Sequence, residues 1–116
     1  MEKLRIVFMG TPDFAVGILD AIIKNNYEIA AVITAPDKPA GRGQKILYSA
    51  VKEYALSKNL TILQPTNLKD ELFINDLKKL NANLQVVVAF RMLPEVVWKM
   101  PKLGTFNLHA SLLPSQ

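Results

Sequence analysis

Two short runs constrain this chain more than anything else in it: Leu4–Met9 (LRIVFM) and Leu84–Phe90 (LQVVVAF). Each is almost continuously apolar and rich in β-formers, as a strand covered on both faces must be. Between and beyond them the apolar period changes. Ala15, Ile18, Leu19, Ile22 and Ile23 follow the spacing of one helix face. Thr11 is expected to cap that helix, with Pro12 at its first position and Asp13 against the positive end of its dipole. Asn25-Asn26 reads as its stop. A second strand is expected at Ile29–Thr34 (IAAVIT), followed by an irregular stretch, APDKPAGRGQK. Ser49 then caps a helix carrying Val51, Tyr54 and Ala55, and a short strand TIL follows at 61–63. Pro65 and Asn67 introduce a helix with Phe73, Leu77 and Leu80 on one side and Asp70 and Glu71 early in it. Pro94 opens a short helix through Trp98, and Thr105–His109 reads as a fifth strand.

This alternation predicts an α/β fold: a Rossmann-like open parallel sheet with helices on both faces, since each parallel neighbour requires a right-handed crossover. A chain of 116 residues is one domain's worth, and with half of them apolar it can fill a core. The absence of cysteine excludes a disulfide scaffold or thiolate metal site and suits a reducing cytoplasm. The first apolar run is too short for a signal peptide or a membrane span. The net charge of +4 is mild; it favours an anionic partner without requiring one.

In open parallel sheets the ligand crevice lies beyond the carboxyl ends of the strands. Three segments fall there. The first, GTPDFA, places Gly10, Pro12 and Ala15 in the dinucleotide-fingerprint spacing. A proline stands where the second glycine should let the backbone approach a pyrophosphate, which weakens a nucleotide-binding reading. Asp37, near the expected ribose position, supports it only slightly.

The second segment carries Lys38, Arg42 and Lys45 among prolines and glycines. On residues alone it reads as a solvated surface loop. The alternative is a flexible arm for phosphate backbones, where charge supplies affinity without sequence readout.

The third is NLHASLLP. Asn107, His109 and Ser111 share one face if the strand persists, at ~6.6 Å between residues two apart. An amide donor and an imidazole so spaced can flank one small carbonyl. The amide stabilises an oxyanion, and the imidazole moves a proton or adds charge. Such a pair can equally be a hydrogen-bonded strand end. With a single histidine and no cysteine, no metal site is expected, and no G-x-S-x-G elbow surrounds Ser111.

IVFMGTPDFAV, DKPAGRGQK, LQP, VVVAF and GTFNLHASLLP, in this order and spacing, resemble the N-terminal part of the methionyl-tRNA formyltransferases across essentially the whole chain. The N-x-H-x-S-L-L-P core is shared by 10-formyltetrahydrofolate-dependent formyltransferases generally. The GTPDF turn and the basic loop point to those acting on initiator tRNA, rather than on amino sugars or glycinamide ribonucleotide.

The resemblance implies formyl transfer from 10-formyltetrahydrofolate to the amine of initiator methionyl-tRNA, in the cytoplasm, without membrane or DNA. It implies Asn107 and His109 as two of three catalytic residues, and Ser111, Leu112, Leu113 and Pro114 as the folate-binding segment. It makes Lys38, Arg42 and Lys45 contacts of the tRNA acceptor arm, reversing the plainer reading of that loop. The third catalytic residue of the family is an aspartate some tens of residues beyond the histidine. Residues 1–116 are therefore expected to be the N-terminal portion of the catalytic domain, with a sheet incomplete at its C-terminal side. The C-terminal tRNA-binding domain is expected to be absent, and the chain alone inactive. Two departures from the family are RMLP at 91–94, where a glycine-containing turn is common, and Ser115-Gln116 in place of a tyrosine-arginine-glycine segment. The alternatives left standing are another formyltransferase of the same donor, a nucleotide-binding module, or a small folate- or RNA-binding protein.

Overall fold

A computed structural model describes residues 2–40 and 45–108. Strands β1 (Arg5–Gly10), β2 (Glu28–Ile33), β5 (Ile62–Leu63), β6 (Leu84–Val88) and β7 (Thr105–Leu108) form one sheet. Its order is β5-β2-β1-β6-β7, and every pairing in it is parallel. Helices α1 (Asp13–Lys24), α2 (Ala50–Ser57), α3 (Glu71–Lys79) and α4 (Glu95–Trp98) connect them.

The strand order decides where the helices go. From β1 the chain steps outward through β2 to β5, then returns past β1 to β6 and steps outward again to β7. Right-handed crossovers in opposite directions place their helices on opposite faces. Accordingly Ile6 and Phe8 of β1 pack with Ala15 and Leu19 of α1 and Val51 and Ala55 of α2. Val7 and Met9, alternating to the other side, pack with Phe73 and Leu77 of α3 and Val97 of α4. The central strands are thus buried on both faces, as their continuous apolar character requires.

Local chemistry sets the ends of the helices. Ser49 accepts from the Lys52 amide at 3.0 Å and Asp70 from the Leu72 amide at 3.2 Å, each satisfying a first-turn donor. Asn26, Asn59 and Asn81 follow α1, α2 and α3 with φ of 67°, 57° and 53°; asparagine is the side chain other than glycine best suited to this left-handed stop. Gly10 suits its place for a different reason. A Cβ there would meet the Ala15 Cβ and the Val88 carbonyl oxygen at 3.1 Å, so glycine lets α1 start hard against the sheet.

Four expectations are corrected. Thr11 does not cap α1: Pro12 occupies the cap position with extended backbone, and Asp13 is the first helical residue. The Pro12 carbonyl accepts from the Ala15 amide at 3.0 Å. The strand expected through Phe90 stops at Val88, because Ala89 takes φ 48°. The third helix begins at Glu71, with Asp70 as cap. The irregular stretch contains an antiparallel hairpin, β3 (Lys38–Ala40) against β4 (Lys45–Leu47). Strand β7 forms one edge of the sheet among the described residues, with Phe106 62% exposed.

Tyr54 ties α2 to α1 by donating its hydroxyl to Asp20 Oδ1 at 2.6 Å. Burial and the carboxylate together push its phenol up to about 12. The same bond, ahead of the Lys24 ion pair, holds Asp20 below the usual carboxylate range. Because the folded phenol keeps its proton more tightly than an unfolded one, its contribution to stability is complete below pH ~10. It is lost as pH rises through about 12. The Asp20 contribution runs the other way and is lost in acid. Alkaline titration followed by tyrosinate absorbance is expected to show a late step at about 12, and Tyr54→Phe is expected to remove it. Persistence of the late step in that variant would assign it elsewhere.

Candidate active site

Past its last residue β6 turns through Ala89, whose left-handed backbone costs ~1–2 kcal/mol for a non-glycine residue. The Ala89 amide donates to the Leu108 carbonyl at 3.3 Å, fastening the turn to the end of β7. The chain then runs Phe90, Arg91, Met92, Leu93 along the rim of a pocket of about 440 Å³. This volume lies within the ~300–1,000 Å³ typical of small-molecule sites. Phe90, Leu93 and Trp98 give the pocket apolar walls, and Val87, Thr105 and Asn107 line its sheet side.

Asn107 reaches this pocket by strand alternation. It lies opposite Val87 in the parallel ladder, as Thr105 lies opposite Gln85. All four side chains therefore sit on the α3–α4 face of the sheet. The Thr105 hydroxyl lies 3.0 Å from the Gln85 side-chain oxygen and 2.8 Å from the Trp98 carbonyl oxygen, sharing its hydrogen between them. That fixes the start of β7 beneath the pocket and docks the end of α4. Arg91 crosses the other rim: its guanidinium donates to the Pro65 carbonyl at 2.9 Å and the Thr66 carbonyl at 3.2 Å. It also stacks 4.8 Å from the centre of the Phe90 ring. The arrangement offers an apolar slot for a flat ring, with an amide at one end able to donate to a carbonyl oxygen.

Of the residues singled out from sequence, Asn107 lies at this pocket, exposed to solvent within it. His109, Ser111, Leu112, Leu113, Pro114 and Arg42 lie outside the described residues. Lys38 is exposed at the start of β3, opposite Leu47, and Lys45 begins β4, opposite Ala40. Asp37 is already engaged by two donors. Lys52 Nζ donates to its two carboxylate oxygens at 3.0 and 2.8 Å, and Gln64 Nε2 donates to Oδ1 at 2.7 Å. These bonds hold its carboxyl below the usual range, Lys52 first and Gln64 second.

Sequence reasoning missed Thr105 and Trp98. Thr105 carried the same signal as Asn107, being two residues earlier on one strand face. Trp98 carried none, since only the docking of α4 brings it to the pocket. No helix among the described residues is long and apolar enough to cross a membrane.

An apolar pocket lined in part by Asn107, at the carboxyl edge of a Rossmann-like parallel sheet, lies where α/β domains of this class hold their ligands. The chain matches the Formyl transferase family over residues 4–115 and belongs to it. It is 81% identical to the methionyl-tRNA formyltransferase of Flavobacterium johnsoniae over 99% of this chain and 36% of that protein. It is 78% identical to that of Flavobacterium psychrophilum over 99% and 37%, and 66% identical to that of Bacteroides thetaiotaomicron over 97% and 35%. The chain spans little more than a third of the length of these curated relatives.

Proposed function

We propose that the protein carrying this chain transfers the formyl group of 10-formyltetrahydrofolate to the amine of initiator methionyl-tRNA, in the cytoplasm. In this proposal residues 1–116 are the N-terminal portion of its catalytic domain. The observation that carries this reading is the 81% identity to a methionyl-tRNA formyltransferase along nearly the whole chain. The pocket suits the donor: Phe90 and Trp98 supply walls for a flat heterocycle, and Asn107 supplies a donor beside them.

The reaction makes a bond from the acceptor nitrogen to the formyl carbon and breaks the bond from that carbon to the donor nitrogen, which takes up the proton the amine gives up. Asn107 donates its amide N–H to the formyl oxygen as negative charge develops there. His109 moves the proton, its charge set by a carboxylate supplied from elsewhere in the protein. Ser111, Leu112, Leu113 and Pro114 line the donor side. Lys38, Arg42 and Lys45 meet the phosphates of the acceptor arm.

The test is formylation by the full-length protein, given the donor and either methionyl-tRNA, an amino sugar nucleotide or glycinamide ribonucleotide. Turnover of a small-molecule amine in preference to methionyl-tRNA would overturn the choice of acceptor. For the hairpin, Arg42→Ala is expected to weaken tRNA binding and to reduce the slope of log affinity against log salt by ~1. An unchanged slope returns the segment to a plain surface loop.

A further inference from the structure

The β3–β4 hairpin stands off the sheet: Ile46 and Leu47, on its returning strand, are 64% and 57% exposed. With Lys38 and Pro39 of β3 exposed as well, the described residues of the two strands are held chiefly at their feet. These are tied to each other and to the sheet by one polar cluster. Thr34, fully buried at the end of β2, shares a hydrogen bond of 2.7 Å with Ser49, the cap of α2. Asp37, at the outgoing foot, accepts from Lys52 of α2 through both oxygens. Gln64, just past β5, donates to Asp37 at 2.7 Å and to the Ala35 carbonyl at 3.0 Å. The Lys52 ammonium also lies 3.8 Å from the centre of the Tyr48 ring, at the returning foot. The Lys52 side chain is only 13% exposed and that of Asp37 29%, whereas in every other ion pair among the described residues the lysine or arginine is at least 37% exposed. A pair this sheltered is screened less by salt than a surface pair and holds its geometry better.

We propose that Asp37, Lys52 and Gln64 are positioning residues: together they fix both feet of the hairpin and so set the direction of β3 and β4, the strands that bear Lys38 and Lys45, toward the acceptor RNA. This rests on the reading of the hairpin as an RNA-binding element. None of the three touches the reacting atoms. Their effect is to remove, before binding, the conformational freedom that an untethered hairpin would lose on meeting the RNA.

The experiment uses the full-length enzyme with Asp37→Asn, Lys52→Met, and the double variant Asp37→Lys with Lys52→Asp. In the last, the ion pair is rebuilt with its sign reversed, while the Gln64 amide keeps its bond to the Ala35 carbonyl and gives up the one to residue 37. In the two single variants, trypsin is expected to cut the hairpin about tenfold faster and KM for methionyl-tRNA to rise about tenfold. The expected kcat and KM for the folate donor stay within about twofold, since the reacting atoms are untouched. The salt slope of tRNA binding should be unchanged for Asp37→Asn, because no phosphate contact is removed. The charge-swapped pair is expected to bring both the tryptic rate and the KM part of the way back, since it rebuilds the ion pair but not the Gln64 bond to residue 37 or the Lys52 contact with Tyr48. Unchanged trypsin cleavage and KM in Asp37→Asn overturn the positioning role. A rise in KM that the swap leaves wholly unrelieved, or a fall in salt slope for Asp37→Asn, also overturns it. If Lys38→Ala and Arg42→Ala leave both KM and salt slope unaltered, the RNA reading of the hairpin itself falls, and this proposal with it.

Discussion

Replacing Asn107 by alanine in the full-length enzyme is expected to lower kcat by about 100- to 1,000-fold while leaving folate affinity within a few-fold of normal. The asymmetry follows from when the bond matters. In the ground state the formyl oxygen is a neutral amide-type acceptor, readily satisfied by water. In the transition state it carries developing negative charge in a pocket whose apolar walls strengthen any directed donor. In the proposed mechanism Asn107 would act from a rigid element: it sits opposite Val87 in a parallel ladder, two residues after a threonine whose hydroxyl is fastened to Gln85 and Trp98. Single-turnover rates and equilibrium folate binding, measured side by side, check it. Equal losses in rate and affinity would make Asn107 a binding residue rather than a stabiliser of the oxyanion.

The second large effect concerns stability. Phe8→Ala in this chain is expected to cost ~3–5 kcal/mol in urea unfolding, a large share of the ~5–15 kcal/mol that typically separates folded from unfolded domains. Phe8 is completely buried in the central strand, against Leu19 of α1 and Val88 of β6. Phe106→Ala serves as the contrast. That ring is 62% exposed on the edge strand, and its removal is expected to change stability by no more than ~0.5 kcal/mol. Similar losses for the two would mean that the face of β7 carrying Phe106 is packed in solution.

The two phenylalanines look alike in the sequence, each an aromatic inside a short β-rich run. What separates them is which strands lie beside them, and that is a fact of sheet order. The same division runs through the site. Asn107 was legible because strand alternation is a property of consecutive residues and points a side chain without knowledge of its neighbours. The pocket it opens on was not legible, because Phe90 turns the wall only after Ala89 adopts a left-handed backbone that its sequence does not advertise. Trp98 arrives on a four-residue helix whose docking is decided by packing.

Strands and helices were written locally in apolar period, and so were the Ser49 cap of α2 and the Asn25-Asn26 stop of α1; the Asp70 cap and the stops at Asn59 and Asn81 use the same short-range chemistry but were not read from it. The hairpin escaped notice because its strands are three residues each, too short for any period to show. The partners of Asp37 escaped because Lys52 and Gln64 are 15 and 27 residues away. Near neighbours along the chain determine backbone conformation and the direction of a side chain. Which side chain it meets depends on distant segments brought together by the burial of the whole sheet, and only the folded chain decides that.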